Sequence, residues 1–265
     1  MVTSDPTVGI PTPMLIQWPD RHYHTTADAM AMVSERSLWL AGVLAGSYLY
    51  WLAQAGRKEA QWLGWEMLHQ YERDVADEVG SALADWTSLA PEEQARALNA
   101  LEARLTFRHE RMGAALASLE RLAPLENELY LLLGELNDLT ESIRARLQRQ
   151  TRSQYGDAWT DEDAWAIRAQ NIIPRRRYRG PIMEMGFPNR VLSLDDEGGN
   201  AWRALAQQPY WRLLRAIAEY WTDGHRSLAE IADLVALETG FHVGPAIEQY
   251  FTLLAQVGLM DLQQR

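Results

Sequence analysis

Three apolar stripes at helical spacing constrain this chain more than any other feature. Trp62, Trp65, Leu68, Tyr71, Val75, Val79 and Leu83 recur every three or four residues after Gly56. Leu98, Leu101, Leu105, Met112, Leu116, Leu119 and Leu122 form a second stripe at helical spacing, and Leu129, Leu132, Leu133, Leu136, Leu139, Ile143 and Leu147 a third. Such spacing lines one face of an α-helix and leaves the other face polar. Breaks fall where helices stop and restart. Ser88-Leu89-Ala90-Pro91-Glu92-Glu93 places proline in a first turn, with acidic residues suited to the helix dipole, and Pro124 ends the second stripe. The spacing predicts a helical hairpin or small bundle over 57–153, with Arg144, Arg146, Arg149 and Arg152 complementing its last C-terminus.

The flanking segments read differently. Pro13 to Trp18 is an apolar run without alternation, which suits a strand buried on both faces. Ser34 caps a helix starting at Glu35, and no residue from Ser37 to Gly56 is charged. Twenty such residues with Gly42 and Gly46 in a G-x-x-x-G pair approach membrane-span length. Ser47, the alanines and the early tryptophans keep the hydropathy moderate, so a buried helix of a folded domain is the expectation, with no membrane. Residues 154–200 read as an irregular basic linker. Arg175, Arg176, Arg177 and Arg179 lie between Pro174 and Pro181, as a carboxylate site or, preferably, as an interdomain anchor. Asp195 to Asn200 reads as a Gly-rich turn without the ligand pattern of a calcium loop. From Ala201 the chain is regular again. A helix opens at Pro209, Ser227-x-x-Glu230 is a capping box, Pro245 starts another helix, and residues 258–262 form a terminal strand. This order looks like a winged-helix module over 201–265.

Composition excludes several classes. There is no cysteine, so disulfides and thiolate metal sites are out, and a cytoplasmic location is expected. A net charge of −11 argues against general affinity for nucleic acid. The helix from Pro245 to Val257, which would enter a groove, contains neither lysine nor arginine. A transcription regulator is therefore disfavoured. His69 and His109 lack a metal partner one helical turn away and read as solvated surface.

Metal-competent and proton-competent side chains are densest in one place: Trp18-Pro19-Asp20-Arg21-His22-Tyr23-His24-Thr25-Thr26-Ala27-Asp28. On an extended segment a His-x-His pair presents both imidazoles on one face, as a chelate or as a polar strand end. Tyr23-His24-Thr25-x-x-Asp28 resembles the last metal-binding motif of the co-catalytic zinc aminopeptidases, the bacterial leucyl-aminopeptidase-like exopeptidases. Val8-Gly9-Ile10-Pro11-Thr12-Pro13-Met14 and Trp18-Pro19-Asp20 are similar to the branch with extra C-terminal domains. The similarity is clear over about the first fifty residues and weaker in the C-terminal segment. It implies His24 as a zinc ligand, Tyr23 as oxyanion donor and Asp28 as a partner orienting the loop or the imidazole. Ala29 stands where the family often has threonine.

The rest of the family's donor set does not follow. A two-zinc peptidase needs about five protein ligands and a glutamate base. In the family these precede the final histidine. Glu92-Glu93 and Asp195-Asp196 come after it and belong to a helix start and a turn. The sequence therefore predicts a mainly α chain: the end of an α/β zinc-peptidase domain over 1–56, a long helical hairpin or bundle, the linker and the winged-helix-like module. The expected function is the C-terminal portion of a zinc-dependent aminopeptidase that hydrolyses N-terminal peptide bonds in the intact parent, inactive as given. The alternative is a non-catalytic scaffold that forms a homodimer through Leu98–Leu147 and binds a partner.

Overall fold

A computed structural model describes residues 5–10, 12–16, 19, 21–22, 25–84, 86–151, 164–182 and 196–265. The chain is mainly helical and divides into two compact units, Met14–Trp159 and Met1–Pro13 with Thr160–Arg265.

The first unit holds α1 (Glu35–Gln54), α2 (Arg57–Ala84), α3 (Pro91–Ala117) and α4 (Asn127–Gln150). Local chemistry sets their ends. The Ser34 hydroxyl accepts the Ser37 N–H, and Glu93 accepts the Ala90 N–H at the start of α3. Cross-helix pairs set their directions. Arg57–Glu128, Gly64 against Leu132 and Tyr71–Thr140 ascend together, so α2 and α4 run parallel. Arg104 with Glu78, and Arg144 with Glu102, place α3 antiparallel to both. The three sequence stripes meet in one core that includes Leu68, Val75, Leu98, Leu105, Leu116, Leu132, Leu136 and Leu147. Each fully buried leucine contributes about 1.5–3 kcal/mol relative to exposure.

The second unit contains α5 (Ala164–Ala169), β1 (Ile172–Arg176), α6 (Asp196–Ala206), α7 (Trp211–Trp221), α8 (Leu228–Thr239), α9 (Gly244–Gln256) and β2 (Met260–Gln264). The strands pair antiparallel, with Ile172 opposite Gln264 and Arg176 opposite Met260. The capping box closes as read: Ser227 Oγ accepts the Glu230 N–H and Glu230 accepts the Ser227 N–H. Gly240 ends α8 at φ +79°, a conformation that favours glycine. Trp211, Leu214, Leu228, Ile231, Ile247, Phe251, Leu254 and Met260 form the core.

Several expectations are corrected. The segment read as a linker contains β1, because Ile172 and Pro174 are buried against the module and the ladder partner lies at the far end of the chain. Residues 196–200 are helix rather than turn; acidic groups suit the start of α6. His109 is not solvated surface: its Nδ1 lies 3.1 Å from Thr140 Oγ1. Of the strand expected over Pro13–Trp18, residues 13–16 are described. They are exposed and outside the sheet, which among the described residues holds only β1 and β2. A strand buried on both faces needs neighbours on both sides. Likewise α1, expected to be buried, has no buried residue. Among the described residues no helix is long and apolar enough to cross a membrane.

Candidate functional site

The predicted metal motif is only partly described. Tyr23 and His24 lie outside the described residues. On their C-terminal side, Thr25 sends both its N–H and its hydroxyl to the His22 carbonyl, at 3.0 and 2.7 Å. The Asp28 N–H then donates to the Thr25 carbonyl at 3.1 Å, and Asp28 is exposed. Among the described residues no group of three or more histidines, aspartates or glutamates is placed to hold a metal. His24 and Asp28 offer one imidazole and one carboxylate. A catalytic zinc takes three protein ligands. Among the described residues the donor set does not fit the metal, and no hydrolytic step follows from it.

The structure does build a polar centre that the sequence reading did not foresee, and it lies in the second unit. Glu219 sits on α7 with 1% of its surface exposed. Its Oε1 accepts the Tyr250 hydroxyl at 2.7 Å and its Oε2 the Tyr178 hydroxyl at 3.0 Å. Arg215, one turn earlier on α7, lies 3.6 Å from Oε1 and donates to Tyr250 at 3.3 Å. Beside this group Arg176 leaves the end of β1 and stacks over the Tyr178 ring at 4.6 Å. Its Nη1 donates to the Glu219 carbonyl at 3.2 Å, and its Nη2 to Asp5 Oδ2 at 2.9 Å. The side chains of Arg176 and Asp5 are 4% and 0% exposed.

Burial sets the ionisation of this centre. It raises the Glu219 carboxyl, against the Tyr250 and Tyr178 hydrogen bonds and the charges of Arg215 and Arg176. It also raises the phenols of Tyr178 and Tyr250, and the neighbouring Glu219 charge adds to this. For Asp5, burial acts upward too, but the hydrogen bonds from Arg176 and Thr7 outweigh it and hold the carboxyl below its ordinary value. Two guanidinium groups face two carboxyl groups, so the centre is balanced in charge. With Glu219 closed to solvent, the arrangement can clamp and orient; it offers no substrate path to that carboxylate.

One sequence signal pointed here. Glu219 falls on the apolar face of α7 with Leu214 and Ala218, four residues after Arg215. A charged pair on a core face is unusual and calls for buried partners. Of the four arginines, Arg176 takes the carboxylate role. Arg177 makes an exposed pair with Asp261 at 2.6 Å, and Arg179 Nε donates to the Thr7 carbonyl. Arg175 is exposed and packs beside Gly224.

No family model, curated protein or solved structure matches the chain.

Proposed function

We propose that the chain is the C-terminal portion of a zinc-dependent aminopeptidase-like protein, and that hydrolysis of N-terminal peptide bonds belongs to the intact parent. The supporting observation is α1. Leu38, Trp39, Leu40, Val43, Leu44, Tyr48, Leu49 and Tyr50 are each at least 42% exposed. At 100° per residue they point in every direction around the helix. A helix apolar all round is stable when covered on several sides. The last helix of an α/β domain, lying ten residues after the Tyr23-His24-Thr25 motif, would be covered in that way by the domain's sheet. In this reading His24 serves as a zinc ligand, Tyr23 as oxyanion donor and Asp28 as an orienting partner; the other ligands and the base come from the peptidase domain. Zinc would act as Lewis acid for peptide-bond hydrolysis. Within the second unit, the succession α7, α8, α9 and β2, with β2 paired antiparallel to β1, supports a winged-helix-like module. The acidic, cysteine-free composition keeps the cytoplasm as the proposed location and nucleic acid outside its partners.

The test is zinc content and aminopeptidase activity of a longer chain that carries the upstream in-frame sequence, beside its His24→Ala variant. Stoichiometric zinc and activity, both lost on substitution, are expected. A longer chain without zinc, or a His24→Ala variant that keeps both, refutes the reading.

The same exposed helix favours a second reading, a partner-binding scaffold. In this reading the homodimer contact lies on α1 in place of the Leu98–Leu147 leucines. Leu98, Leu101, Leu105, Leu116, Leu132, Leu136 and Leu147 are consumed inside the three-helix core of one chain.

A further inference from the structure

The second unit recognises a short acidic turn supplied by the chain's own N-terminal segment. Asp5-Pro6-Thr7 folds on itself before it meets anything else. Asp5 Oδ1 accepts the Thr7 N–H at 2.9 Å and the Thr7 hydroxyl at 2.6 Å. The Asp5 carbonyl accepts the N–H groups of Val8 and Gly9, both at 2.8 Å, and Gly9 turns the chain at φ +72°. This turn presents one free carboxylate oxygen, one carbonyl and one hydroxyl.

Each has a complement more than 170 residues away. Arg176 Nη2 takes Asp5 Oδ2 at 2.9 Å and its Nη1 reaches Oδ1 at 3.3 Å. Arg179 Nε takes the Thr7 carbonyl at 2.9 Å, and the Gly180 N–H donates to Thr7 Oγ1 at 2.8 Å. The donor side is also held by contacts that do not involve the turn. Arg176 is held by the Glu219 carbonyl, by the Gly180 carbonyl and by the Tyr178 ring, whose hydroxyl is tied to Glu219. A guanidinium so enclosed needs a carboxylate, because an unpaired buried charge is strongly unfavourable.

We infer that Arg176, Arg179 and the Gly180 amide form a peptide-recognition site for an Asp-x-Thr turn, filled in cis by Asp5–Thr7. The fork of Arg176 reads the carboxylate, and the Gly180 amide reads the hydroxyl two residues on. Lysine could supply the charge but not the paired geometry. The site goes beyond the proposed peptidase reading and does not rest on it.

The experiment empties the site in the full chain with the double substitution Asp5→Ala and Thr7→Ala. It then measures fluorescence anisotropy of a labelled peptide of residues 3–12. The emptied chain binds the peptide saturably. The wild-type chain, with its site filled in cis, binds the peptide more weakly than the emptied chain, because the tethered segment competes for the same site. The peptide with Asp5→Asn loses binding, and so does the emptied chain carrying Arg176→Lys. In the otherwise unchanged chain, Thr7→Ala speeds hydrogen exchange of the Gly180 amide at least about tenfold, the expected release from a persistent hydrogen bond. A folded, emptied chain that binds no peptide at millimolar concentration overturns the inference. Equal binding of the Asp5→Asn peptide overturns it too, as does a Gly180 amide whose exchange is unmoved by Thr7→Ala.

Discussion

Thr140→Val isolates one buried hydroxyl whose loss should be felt far beyond its size. Thr140 on α4 is 2% exposed, and its hydroxyl donates to the Leu136 carbonyl at 2.8 Å. With its only proton committed there, Thr140 Oγ1 acts as acceptor toward the Tyr71 hydroxyl at 2.8 Å and toward His109 Nδ1 at 3.1 Å. Tyr71 is 3% exposed, so the substitution leaves its O–H buried without that acceptor. An orphaned buried donor costs about 1–3 kcal/mol. His109 is half-buried and can turn to water, which adds little. Valine matches threonine in shape, and loss of the bond to Leu136 is close to neutral for the helix. The net expectation is about 1–3 kcal/mol, read in urea unfolding of the full chain by far-ultraviolet circular dichroism. At about 2–4 °C per kcal/mol for a unit near 150 residues, the melting temperature falls by roughly 2–12 °C. Adding Tyr71→Phe should recover most of the loss, because replacing both partners by apolar groups removes the stranded donor. A double-mutant cycle should therefore give a coupling of at least about 1 kcal/mol. Additive costs, with coupling below about 0.5 kcal/mol, would refute the assignment of the Tyr71 proton to Thr140.

Two further outcomes follow from the second unit. Gly244→Ala would place a methyl 2.4 Å from the Trp165 ring, a rigid neighbour whose Nε1–H donates to Glu248 at 2.7 Å. A loss of about 1–3 kcal/mol is expected from overpacking; unchanged stability in urea unfolding would contradict the packing. The Asp5 carboxyl is held below its ordinary value in the folded chain, so its stabilising contribution is present above the unfolded value near pH 3.9 and is lost as pH falls through the folded one. The stability gap between wild type and Asp5→Asn should thus be constant near neutrality and close below about pH 4. Urea titrations showing the same gap at pH 7 and at pH 3 would count against the Asp5–Arg176 pair as its source.

The metal-site reading of Tyr23, His24 and Asp28 came only from resemblance: Tyr23 and His24 lie outside the described residues, and Asp28 alone of the three is placed, on the surface. The buried centre was barely legible, since Glu219 and Arg215 marked themselves only as charges on an apolar helical face. Nothing near Asp5 in the chain announced its partner.

Helices and their ends were written in local residue order. Ser34, Pro91 with Glu93, Ser227 with Glu230, and Gly240 act on groups within a few positions, so their spacing alone determined where α1, α3 and α8 begin or end. The leucine periods likewise determined which faces enter the helical core. Tertiary structure alone decided that Ile172 lies opposite Gln264, that Thr140 receives both Tyr71 and His109, and that Arg176 closes on Asp5 at a separation of 171 residues. Those choices depend on which surfaces meet after the chain has closed long loops. A strand, a histidine or an arginine has several partners of equal local merit, and only packing removes the alternatives.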